Sequence, residues 1–115
     1  MITQVQQGTT AIRTFETLNR PDGDRTAPSG LPTVVTVHVN AVINSAIETA
    51  ATIVQMQDAT PASITGYYRL EFPTTSLSAT DDVDVTVQAT INGTPRTHIL
   101  RFLIIDQPDL LPVIR

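Results

Sequence analysis

A chain of 115 residues with 41% apolar and 16% charged residues has the size of one domain and is too apolar to stay disordered. Its net charge of −4, with seven arginines and no lysine, lacks the clustered positive charge that a nucleic-acid partner requires. The absence of cysteine excludes a disulfide framework, a thiolate metal site and a cysteine nucleophile. The longest apolar stretch, Ile99 to Ile105, contains Arg101 and is too short to span a bilayer, so no membrane partner is expected. Met1-Ile2-Thr3-Gln4 carries neither the basic nor the apolar region of a signal peptide, which predicts folding in a cytoplasm.

Threonine is the dominant residue, at 19 positions, with valine and isoleucine close behind. These β-branched residues favour strands, and prolines and glycines scattered from Pro21 to Pro112 leave only short segments between them. The expectation is an all-β domain over residues 9–106, with an N-terminal arm at 1–8 and a C-terminal apolar strap at 107–115. Thr9 to Leu18 reads as a first strand, with Ile12 and Phe15 as anchors on different faces. Arg20-Pro21-Asp22-Gly23 reads as a turn inside the longest loop, Asn19 to Pro32. Thr33 to Val39 reads as a second strand with Val35, Val37 and Val39 on one face.

Residues 41–57 admit two readings. Ile43, Ile47, Ala50 and Val54 recur at helical spacing, while Thr49, Thr52, Ile53 and Val54 are poor helix formers. With no clear cap, the segment is expected to turn near Asn40-Ala41 and continue as one or two strands. Thr65-Gly66 then reads as a turn into a half-buried strand, with Tyr68, Leu70 and Phe72 facing inward.

Asn92-Gly93 is the strongest local signal, since this pair favours the two-residue type I′ hairpin turn. Counting outward from it opposes Ile91 to Thr94, Val87 to His98, Val85 to Leu100 and Val83 to Phe102. On the other face Asp84 meets Arg101 as an opposite-charge pair. That register leaves Ile99, Leu103 and Ile105 on the outer face, where a two-layer sandwich would expose them. The strap adds Leu110, Leu111, Val113 and Ile114, broken by prolines and therefore extended. These seven apolar residues are the candidate interface, covered either by the chain's first residues or by a neighbouring subunit.

Catalytic and metal chemistry find little support. His38 and His98 lack zinc-type spacing, and Asp81, Asp82 and Asp84 lack the glycine and terminal glutamate of a calcium loop. No nucleophile elbow or phosphate-binding glycine loop occurs. The reading is therefore a non-enzyme with no cofactor and no metal.

The order of short motifs resembles an Ig-like β-sandwich module of tailed-bacteriophage virion proteins. The motifs are Gly8-Thr9-Thr10 with Thr14-Phe15-Glu16-Thr17, then Asp22-Gly23, Leu31-Pro32-Thr33, Thr65-Gly66-Tyr67-Tyr68, and a closing hairpin from Val83 to Ile105. The resemblance implies a single Ig-like antiparallel sandwich of about seven strands. It also implies a virion location and a role as a capsid decoration (cement) protein. Its partners would be the major capsid or other virion proteins, with self-association as a homo-oligomer. A tail, neck or baseplate adaptor, or a carbohydrate-binding module on the virion, are the alternatives it leaves open.

Overall fold

Short alternating segments separated by turn residues build the chain, and the computed structural model describes residues 2–19 and 23–106 of it. Among these lie β1 (Ile2–Gln6), β2 (Thr10–Glu16), β3 (Thr33–Val39), β4 (Val42–Ile43), α1 (Ser45–Ala50), β5 (Thr52–Gln57), β6 (Ser63–Pro73), β7 (Asp82–Ile91) and β8 (Thr94–Ile105). They form a five-stranded sheet in the order β1-β8-β7-β3-β4 and a three-stranded sheet in the order β2-β6-β5. The architecture is thus mostly β, two-layered and sandwich-like.

The core lies between the sheets. Leu70 and Phe72 of β6 meet Val37, Val83, Val85, Leu100, Phe102 and Ile104 of the larger sheet, all of them buried. Phe72 and Phe102 join the layers edge to face with ring centroids 4.9 Å apart, the arrangement that aromatic quadrupoles favour. Phe15 stacks on Tyr68 at 5.8 Å, and burial pushes the Tyr68 phenol above its ordinary value. Buried hydroxyls are satisfied: Thr74 donates to the Thr9 carbonyl, and Thr17 donates to the Thr26 carbonyl at 2.6 Å.

The hairpin of β7 and β8 has the predicted register throughout, from Ile91↔Thr94 to Val83↔Phe102, with Asp84 opposite Arg101. Asn92 and Gly93 both have positive φ, 51° and 78°, as a type I′ turn requires. The inward run Tyr68, Leu70 and Phe72 is likewise buried as expected.

Five expectations are corrected. Residues 2–6 of the expected arm are a strand, β1, which pairs in parallel with β8 from Ile2↔Arg101 to Gln6↔Ile105; the sheet is therefore mixed and the described strands number eight. Thr3 and Val5 share the register of Phe102 and Ile104, so the alternation of this short segment buries Val5. A bulge between Val34 and Thr36 resets β3: Val34 packs on the core beside Val37, and Val35 turns outward.

In β2 the inward residue is Ala11 and Ile12 is exposed, because Ala11 sits opposite Phe72, where little space remains. Thr65-Gly66 does not reverse the chain. Gly66 lies inside β6 at φ +69°, and a Cβ there would come within 3.0 Å of the Thr17 carbonyl, so glycine allows this close approach.

Finally, residues 41–57 are neither all strand nor all helix. After a tight turn at Asn40-Ala41, β4 pairs with β3, one helical segment follows, and β5 begins at Thr52. The cap that seemed missing is Asn44, whose Oδ1 accepts from the Ile47 N–H at 3.0 Å and lets Ile47 bury itself. The helix stops at Ala50 because β-branched residues follow and Ala51 is already extended. This short element carries the chain from the rim of one sheet to the rim of the other.

Candidate interaction surface

The outer face of the larger sheet follows from its registers. Ile2, Arg101, Asp84, His38 and Ile43 stand in one row across five strands, so Asp84 lies between Arg101 and His38. Ile99, opposite Thr86, is 45% exposed, and Ile2 at the sheet's end is 58% exposed. Leu103 and Ile105 are half-buried, with Gln4 and Gln6 of β1 as register partners. Of the seven candidate interface residues, Ile99 is thus the open one among those described. Leu110, Leu111, Val113 and Ile114 lie outside the described residues.

The other sequence candidates are dispersed. Asp81 belongs to a turn, where its carboxylate accepts from the Ser78 N–H at 2.8 Å and from Asn40 Nδ2 at 2.9 Å. These two bonds hold its carboxyl below the ordinary value of 3.8. Asp82 and Asp84 point to the outer face of β7, away from it. His98 has the inward parity of β8 but sits near the hairpin tip, exposed. The five aromatic residues are engaged inside the domain: four make the two ring pairs of the core, and Tyr67 carries the Arg25 guanidinium 4.8 Å above its ring.

What residue-by-residue reading missed is an edge. β8 has twelve residues, and β1 covers only its second half, from Arg101. Thr94 to Ile99 are all exposed, and no strand among the described residues pairs with the side of β8 facing away from β7 there. Which backbone groups point outward follows from the turn. The closing pair Ile91↔Thr94 exchanges its bonds inside the hairpin, so Pro95, Thr97 and Ile99 turn theirs away from β7. Farther along, the same parity is visible in bonds that do form. The Ile105 carbonyl accepts from the Gln7 N–H at 2.8 Å, and the Arg101 carbonyl from Arg13 Nη1 at 3.4 Å.

Beside this edge runs a groove of about 490 Å³ lined by Arg13, Thr97, His98, Ile99 and Arg101. Two of the seven arginines, Arg13 and Arg101, thus line this groove in a chain of net charge −4. A strand edge with an exposed isoleucine and flanking cations can bind an extended, apolar segment carrying negative charge. Comparisons with family models, with curated proteins and with solved structures gave no match.

Proposed function

We propose that this chain is an adhesive structural subunit of a tailed-bacteriophage virion, in first place a capsid decoration protein that clamps neighbouring shell subunits. The carrying observation is the outer face of the larger sheet at β8, where Ile99 is exposed opposite Thr86, a surface suited to packing against a partner. The order of motifs from Gly8 to Ile105, which resembles Ig-like virion modules, supports the virion setting and the finer Ig-like assignment. The role is one of binding, without catalysis, cofactor or metal. Its strength would come from many symmetric copies acting together, since modest contacts multiply when partners are held in an array.

The test is to add purified protein to shells that lack it and measure retention by sedimentation, with densitometry of complete particles giving the copy number. Binding in numbers matching capsomer junctions, abolished by Ile99→Asp with the melting temperature unchanged, is the expected result. Copy numbers of a few per particle would move the protein to the tail or neck, and no retention on any particle would overturn the reading.

A further inference from the structure

We infer that the groove beside β8 is a binding site for a carboxylate on a short aliphatic stem, as an acidic side chain of a partner protein presents it. The inference rests on the adhesive reading of this surface and deepens it by naming the chemistry that settles beside Ile99; it does not depend on the virion setting. Three observations carry it, and the first is the company the groove keeps. Of the five residues that line its roughly 490 Å³, Arg13, Thr97, His98 and Arg101 can all donate hydrogen bonds, and none is an acid. This occurs in a chain whose eleven acids outnumber its seven arginines. Asp82 and Asp84 of β7 line a separate hollow of about 190 Å³ instead. Arg101 stands at the boundary of the two spaces, and although Asp84 is its register partner, the two side chains do not close to an ion pair.

The second observation is how the cations are held. Arg13 belongs to β2 of the smaller sheet, yet its Nη1 reaches across and donates to the Arg101 carbonyl of the larger sheet at 3.4 Å. That bond orients the guanidinium, whose several N–H groups one carbonyl does not exhaust. His98 has the inward parity of β8 and Arg101 the outward one, so the donors converge on the groove from two sheets and from both faces of one strand. A carboxylate, with paired oxygens in one plane, is the group that a guanidinium fork fits best.

The third observation is Ile99, which lines the same groove and is 45% exposed. A ligand that covers it needs an apolar part next to its charge. A free phosphate has no such part. A sugar acid would look for a ring to stack on, and the five aromatic residues are engaged inside the domain. An aliphatic carboxylate satisfies both halves of the groove.

The test uses valerate, with its neutral amide valeramide and inorganic phosphate as comparisons, and follows backbone amide chemical shifts in the full chain. Valerate should shift Thr97, His98 and Ile99 saturably, and less so as sodium chloride is raised. Valeramide and phosphate should bind at least about fivefold more weakly. Arg101→Gln, at an exposed position, should keep the melting temperature and weaken valerate binding about two- to fivefold. Arg96→Gln, on the same strand but outside the groove, should bind like the native chain. No saturable shift at these three residues would overturn the inference. Equal binding of valeramide would reveal an apolar pocket, equal binding of phosphate an indifferent anion site, and equal weakening by both arginine variants a mere effect of overall charge; each overturns it too. Shifts that grow with protein concentration in the absence of valerate would put a second copy in the groove and overturn the assignment to a different partner. Shell binding is read separately: valerate binding by a protein that no particle retains would leave the inference standing and remove the virion setting.

Discussion

Two pairs of adjacent residues lie in the left-handed region, and they make opposite predictions. In the β7–β8 turn Asn92 and Gly93 have φ of 51° and 78°, and nothing lies within 4 Å of a Cβ added to Gly93. Gly93→Val therefore tests backbone conformation alone. It should destabilise by at least about 1–2 kcal/mol, since a β-branched residue resists positive φ. In the turn between β3 and β4, Asn40 has φ 50° and Ala41 has φ 67°, so alanine holds a place where glycine costs less. Ala41→Gly should stabilise the fold by about 1 kcal/mol. Urea unfolding of both variants checks the two signs together; equal signs would mean that turn conformation does not control these hairpins.

At the level of elements, the turns are tied down by carboxylates. Asp81 accepts from Ser78 and Asn40, and Asn40 in return accepts from the Asp82 N–H at 3.0 Å. This ties the β3–β4 turn to the start of β7. Asp58 accepts from the Thr60 hydroxyl at 2.5 Å and from the N–H groups of Ala62 and Thr60, closing the loop between β5 and β6. Both carboxyls are held below their ordinary value of 3.8, Asp58 first of all by the Thr60 hydroxyl and Asp81 by the Ser78 N–H.

A depressed folded value gives stability that is present above 3.8 and is lost as pH falls through the folded value. The melting temperature should therefore drop as pH goes below 3.8, and the double variant Asp58→Asn, Asp81→Asn should flatten that drop while melting lower at pH 7. An unchanged pH profile in the double variant would place the acid sensitivity elsewhere. The Asn44 cap belongs to this scale as well, since one side chain decides that residues 45–50 coil instead of pairing.

At the scale of the molecule, the two sheets are held together at Phe72 and Phe102. Because these rings belong to different layers, their coupling measures inter-sheet packing directly. A double-mutant cycle with Phe72→Leu and Phe102→Leu should give a coupling of about 0.5–1.5 kcal/mol. Additive effects would mean that the layers are joined by the surrounding aliphatic residues alone. The smaller sheet leaves Ile12 and Val54 exposed on its outer side, and the larger one leaves Ile2, Ile43 and Ile99. Apolar exposure is thus present on both faces, and most of it falls on strands at the ends of the two sheets, β1, β4, β2 and β5, with Ile99 on β8 besides.

Local patterns settled what local physics controls. Asn92-Gly93 determined the hairpin and its full register, because a two-residue turn leaves one way to pair the flanking strands and the alternation of Val83, Val85 and Val87 agrees with it. The inward face of Tyr68, Leu70 and Phe72 was legible for the same reason. The places where sequence reading failed are those where a remote partner chooses between local options. Ile2–Gln6 is a strand because the edge of β8 offers it hydrogen bonds, which no pattern within five residues can reveal. The bulge at Val35 and the inward turn of Ala11 answer to space between the sheets. Residues 45–50 form a helix because the Asn44 cap and the burial of Ile47 against the core offset the marginal stability of so short an element. The candidate surface divides in the same way. Periodicity placed Ile99 on the outer face, but only the tertiary structure decided that β1 lies beside Arg101 to Ile105 of β8, since a strand's edge partner is a property of its neighbours and not of its own residues.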